Sequence, residues 1–151
     1  MDRSKILEEI FEVQSSMTQL WKQCFSVPMQ KEGITFSQMG ALMLLDDRQP
    51  LMGKELATYL GLTPSSITQL IESLVQAGCV TREQDTRDRR IVYLRLSKEG
   101  KRKVGLLKEK RKELFYKATE PLTEHELQAD LARQKKMYTQ MRAYVDGLQK
   151  S

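Results

Sequence analysis

Leu56-Ala57-Thr58-Tyr59-Leu60-Gly61-Leu62-Thr63-Pro64-Ser65-Ser66-Ile67-Thr68-Gln69-Leu70-Ile71-Glu72-Ser73-Leu74 reads as two short helices joined by a tight turn. Gly61 can take the positive φ that such a turn demands. Thr63-Pro64 restarts the chain as a helix, with a hydroxyl at the cap and a proline at the first helical position. Leu56, Ala57 and Leu60 share a face of the first helix, over about residues 53–60. Ile67, Leu70, Ile71, Leu74 and Val75 share a face of the second, over about 64–77, and Gly78 closes it. Small Ala57 lets the helices touch, Gly61 turns the chain and branched Ile67 locks the second helix, which makes this a helix-turn-helix candidate. An ordinary helical hairpin shares the pattern, so the flanks decide.

Downstream the period changes from helical to alternating. Cys79-Val80-Thr81-Arg82 reads as a strand, residues 83–89 as a charged hairpin loop, and Ile91-Val92-Tyr93-Leu94-Arg95-Leu96 as a second strand. Ser97 caps a helix that runs to about Ala118, Pro121 interrupts it, and Thr123 with Glu126 opens a last helix through a capping box. Upstream, Thr35-Phe36-Ser37-Gln38 is a capping box for a helix through Met39, Leu42, Met43 and Leu45, with residues 46–50 as its polar stop. The first helix is expected from about Ser4 to Val27, ended by Pro28 and Gly33. The predicted class is mostly α with a small β-hairpin wing: a winged helix-turn-helix with a long helix at each end.

Those end helices carry heptad spacing. Ile6, Ile10, Val13, Met17, Leu20 and Cys24 recur at steps of four and three, widened by Leu7, Phe11, Trp21 and Phe25. Leu127, Leu131, Gln134, Tyr138, Met141, Val145 and Leu148 repeat the pattern near the C-terminus. Seams at both ends of one short chain predict that they pack together and against a second copy, as a two-fold homodimer. The expected organisation is a single domain over 1–151, with a winged lobe at 35–100 and dimerisation helices at 1–34 and 101–151.

The chain has 151 residues, net charge +5 and a pI near 9.2, a balance that favours acidic partners such as nucleic acid. Its apolar runs are too short to span a bilayer and its first residues lack a signal peptide's apolar stretch, so no membrane role is expected and the cytoplasm is the expected compartment. One histidine, His125, and no nucleophile–base pair, phosphate loop or ligand cluster predict no enzyme, cofactor or metal site. Cys24 falls on the apolar seam and is expected to be a buried structural thiol, and Cys79 a core residue.

The solvent face of the second helix-turn-helix helix offers Ser65, Ser66, Thr68 and Gln69 near its N-terminus, where recognition helices meet base edges in the major groove. Gln69 can pair bidentately with adenine, and the helix start around Thr63 favours a phosphate. The hairpin clusters Arg82, Arg87, Arg89 and Arg90 with Asp85 and Asp88. Guanidinium groups at a loop tip suit a narrow minor groove, and Asp88 can hold a neighbouring arginine in one orientation.

Thr35-Phe36-Ser37-Gln38, Glu55-Leu56-Ala57, Leu74-Val75-Gln76-Ala77-Gly78, Asp85-Thr86-Arg87-Asp88-Arg89-Arg90 and Leu94-Arg95-Leu96-Ser97-Lys98-Glu99-Gly100 together resemble the MarR family, over about Thr35 to Leu148. The resemblance implies a winged-helix dimer on pseudo-palindromic double-stranded DNA, often a repressor released by a small aromatic or lipophilic effector. It places Asp88 and Arg90 in the wing pair whose arginine enters the minor groove, with Arg89 beside them; Thr63, Arg82 and Arg87 are the expected phosphate contacts. An effector site between the end helices and the lobe would draw on Met17, Trp21, Phe25, Met39 and Met43, residues that serve equally as core. The chain departs from the pattern at Gln69 and Ser73, where members often carry arginine. No Lys or Arg lies between Lys54 and Arg82, and Glu72 adds negative charge. Phosphate affinity is then expected from the wing and from Arg95, Lys98, Lys101, Arg102 and Lys103. The alternative reading is a winged-helix protein-interaction module without specific DNA binding, since fold alone does not choose.

Overall fold

The computed structural model describes residues 2–148. In order they form α1 (Arg3–Lys31), α2 (Phe36–Arg48), β1 (Leu51–Met52), α3 (Gly53–Leu60), α4 (Pro64–Gln76), β2 (Val80–Gln84), β3 (Val92–Leu96), α5 (Lys98–Thr119) and α6 (Glu124–Leu148). The chain divides into two compact units, residues 1–110 and 111–151. The mostly helical class with a small sheet is as expected.

The core lies in the first unit. Leu42, Leu45, Leu56, Leu74, Val104 and Cys79 are its most enclosed side chains, contributed by α2, α3, α4, α5 and the root of β2. Burial pushes the Cys79 thiol up, with the positive charge of Lys103 pulling the other way. The start of α2 forms both bonds of its capping box: Gln38 N donates to Thr35 Oγ1 at 3.2 Å and Thr35 N donates to Gln38 Oε1 at 2.9 Å. Gly61 ends α3 at φ 63° and Gly78 follows α4 at φ 67°, the left-handed values that the helix-turn-helix reading requires.

Four local expectations need correction. Pro28 does not end the first helix; α1 continues to Lys31. Proline lacks an N–H and forfeits one intrahelical hydrogen bond, but buried Met29 anchors the final turn in the core before Gly33 turns the chain at φ 63°. Residues 46–48 belong to α2 rather than to a loop, with half-buried Asp46 paired to Lys108 of α5. The hairpin is joined by a third strand: β1 pairs with β3, Leu51 opposite Leu94 and Met52 opposite Tyr93, giving the order β1-β3-β2. β2 also runs two residues further than expected, to Gln84, so the loop spans 85–91.

Cys24 is exposed, contrary to the expectation of a buried thiol. Of α1 only Phe25 and Met29 are buried, while Leu7, Phe11, Val13, Met17 and Leu20 lie open. In the second unit, Thr123 and Glu126 close the expected capping box at the start of α6. No residue of α6 is buried, and Leu131, Tyr138, Met141 and Leu148 are exposed along it. Among the described residues no helix is long and apolar enough to cross a membrane.

Candidate nucleic-acid interface

α4 is set by its cap and by its apolar face. Thr63 Oγ1 accepts from Ser66 N at 3.3 Å, Pro64 occupies the first turn, and Ile67, Leu70, Ile71 and Leu74 face the core. That leaves Ser65, Ser66, Thr68, Gln69 and Glu72 on the exposed side. The hydroxyls are already engaged within the chain. Thr63 Oγ1 donates to Ser66 Oγ at 2.9 Å and lies 3.2 Å from Ser65 Oγ. Thr68 Oγ1 donates to the Pro64 carbonyl at 2.8 Å. Ser73 is not on this exposed face. It is half-buried, accepts from Gln38 Nε2 at 3.1 Å and donates to the Leu70 carbonyl, so it ties α4 to α2.

The wing is an antiparallel pair from Val80 opposite Leu96 to Gln84 opposite Val92. Its tip is shaped by two carboxylates. Asp85 Oδ1 accepts from Arg87 N at 2.8 Å and Asp88 N at 2.9 Å, folding the chain back on itself. Asp88 then grips Arg90 in bidentate fashion: Oδ1 accepts from Nε at 3.1 Å and Oδ2 from Nη2 at 3.1 Å, while Arg90 N donates to Oδ1 at 3.0 Å. The Arg90 side chain is 91% exposed against 38% for Asp88, so the pair holds a guanidinium outward from an anchored base. Sequence reasoning places Asp88 but does not single out Asp85. An aspartate two residues before the Arg87-Asp88 pair is the turn signal that marks it.

Arg90 holds the Asp88 carboxyl below the ordinary aspartate range, chiefly through the side-chain bonds. Asp88 is therefore ionised and able to pair at neutral pH, and the pairing is lost as pH falls through that lowered value. A carbon-detected NMR titration is expected to place the Asp88 midpoint below the ordinary aspartate value, and Arg90→Ala to move it back up. An unshifted Asp88 in the parent protein would show that the pair does not persist in solution.

Arg82, Arg87 and Arg89 are exposed, and among the described residues they form no ion pair. Thr68 of α4 and Arg82 of β2 border one recess of about 310 Å³, with Gly53, Ile71, Val92 and Leu94, so the exposed helix and the wing root share a concavity. The expected phosphate cations of the next helix are only partly available. Arg95 pairs with Glu83 across the wing. Arg102 bonds Glu99 and Glu32, which hold its guanidinium more firmly protonated, and Lys103 Nζ donates to the Glu32 carbonyl at 2.6 Å. These bonds fasten the end of α1 to α5 and leave Lys98 and Lys101 exposed, without an ion pair among the described residues. Of the effector-site residues, Met17 is exposed, Trp21, Met39 and Met43 are half-buried, and Phe25 is buried with its ring 6.3 Å from that of Trp21. Among the described residues no group of His, Cys, Asp and Glu is arranged to hold a metal ion.

A model of the MarR family matches residues 34–92. A protein of Bacillus subtilis (strain 168) described as the HTH-type transcriptional repressor MdtR is 31% identical over 99 residues, covering 66% of this chain and 64% of its own. The organic hydroperoxide resistance transcriptional regulator of the same organism is 30% identical over 110 residues, covering 72% of this chain and 71% of its own. The chain thus spans just under two thirds of the first relative and rather more of the second. Among solved structures, the S. aureus MepR–DNA complex shares the fold at a TM-score of 0.69 and 22% identity, covering 84% of this chain and 96% of that one.

Proposed function

The chain belongs to the MarR family of transcription regulators, and from that premise we propose that it binds pseudo-palindromic double-stranded DNA as a homodimer. In this reading residues 35–100 are the DNA-binding lobe, and 1–34 and 101–151 supply the dimer contacts. α4 enters the major groove with Ser65, Ser66, Thr68 and Gln69. Thr63, Arg82 and Arg87 touch phosphates, and the wing delivers Arg90, flanked by Arg89, to the minor groove. The observation that carries the reading is the Asp88–Arg90 pair, which presents a fixed guanidinium at an exposed loop tip. Such a group suits the deep negative potential of a narrow minor groove. A protein-docking wing needs no such fixture.

The repressor sense follows the relative named as a transcriptional repressor. Release by a small aromatic or lipophilic effector follows the family resemblance. Such an effector acts only if it binds the DNA-competent and incompetent dimer geometries unequally. The proposed compartment is the cytoplasm.

The test is fluorescence anisotropy across a salt series, on duplexes selected from the source genome. Affinity is expected to fall steeply with salt for the parent protein. Arg90→Ala is expected to weaken it and to flatten the log–log salt slope by about one per site. If no duplex is enriched and none binds at low salt, the DNA reading fails.

A further inference from the structure

This inference rests on the DNA reading above and adds which base the major-groove surface reads. We propose that α4 selects adenine, and rejects guanine, through Gln69 in each copy of the recognition surface.

Three observations lead there. First, residues 55–81 contain no lysine or arginine, so neither α4 nor the turn before it can offer a cationic donor. Guanine shows the major groove two acceptors, N7 and O6, and its usual partners are the paired donors of arginine or lysine. Second, two of the hydroxyls near the start of α4 donate inside the chain: Thr63 to Ser66 Oγ, and Thr68 to the Pro64 carbonyl. Gln69 is exposed and, among the described residues, makes no hydrogen bond. Its side-chain carbonyl accepts and its amide donates, the complement of adenine N6–H and N7. Third, Glu72 stands one turn further on the same exposed face. Ionised carboxylate offers acceptors only, which repel the guanine edge and suit an exocyclic amine.

One good bidentate pair discriminates against the wrong base by about 5- to 150-fold. The experiment is selection from a random duplex library with the full chain, its Gln69→Ala variant and its Gln69→Arg variant. Gln69 is exposed, so both variants are expected to fold, and their melting curves check it. The parent motif is expected to hold an adenine whose preference disappears in Gln69→Ala and becomes guanine in Gln69→Arg. Replacing that adenine by 7-deaza-adenine, which lacks N7, is expected to weaken the parent about tenfold and leave Gln69→Ala unchanged. An unaltered motif in Gln69→Ala overturns the proposal while leaving DNA binding intact. A parent protein that enriches no motif overturns the DNA reading and this inference with it.

Discussion

Replacing Gly100 by alanine is expected to lower the thermal midpoint by about 6–12 °C, the counterpart of roughly 3 kcal/mol for a chain of this size. Gly100 is buried in the first turns of α5, and a Cβ there would stand 2.1 Å from the Cys79 carbonyl oxygen and 3.0 Å from its carbon. The obstacle is backbone, and that backbone is held. Cys79 O accepts from Ser97 N at 2.9 Å, and Ser97 Oγ donates to Gly78 O at 2.6 Å while accepting from Gly100 N at 3.0 Å. Moving the carbonyl aside breaks the joint between the wing root and α5. Intrinsic helix preference works the other way, favouring alanine over glycine by about 1 kcal/mol. Gly105, on the same helix with open space around its Cβ position, isolates that opposing effect. Gly105→Ala is expected to raise the midpoint slightly while Gly100→Ala lowers it. Melts that move together in calorimetry would rule out the close approach.

Leu131→Glu combined with Met141→Glu is expected to turn the proposed dimer into monomers at micromolar concentration. Leu131 is 55% exposed and Met141 65% exposed on α6, a helix with no buried residue. This apolar face is the surface that the proposed second copy would cover. Each glutamate would enter the covered seam unpaired, at a cost of about 3 kcal/mol or more. Even one such penalty from each chain raises the dimer dissociation constant roughly ten-thousand-fold. Lys136→Glu, off the seam, is expected to leave it unchanged. Sedimentation velocity decides the matter, and a monomeric parent protein would end the dimer proposal at once.

The features legible in sequence are those whose signal is local. Gly61, Thr63-Pro64 and Gly78 each impose their own backbone geometry, so the bounds of α3 and α4 follow closely from single residues. The Thr35 and Thr123 capping boxes need only four residues, and the Asp88–Arg90 pair only three. What escapes depends on partners distant in the chain. β1 has two residues, too few for any period, and is a strand only because β3 lies beside it. Gly100 looks like any helical glycine until Cys79 is placed against it. Arg102 and Lys103 read as free cations until Glu32, some 70 positions earlier, is brought to them. Cys24 shows the converse: heptad spacing marks it as buried, but spacing alone does not supply the covering surface, and Cys24 is exposed.

The wing tip has a consequence for how such a protein can change. The bonds that define its turn run between Asp85, Arg87, Asp88, Arg90 and Ile91, all inside seven consecutive residues. None of those bonds reaches the core. The tip is therefore a self-contained cassette on a ladder of ordinary strand pairing, and its residues can drift, lengthen or be exchanged without a matching change elsewhere. The joint at Ser97 and Gly100 has no such freedom, because Ser97 bonds Gly78 and Cys79 across the root of the wing and Gly100 lies against the Cys79 carbonyl. A change at the tip is therefore absorbed where it occurs, while a change at Ser97 or Gly100 must shift the wing root and α5 together.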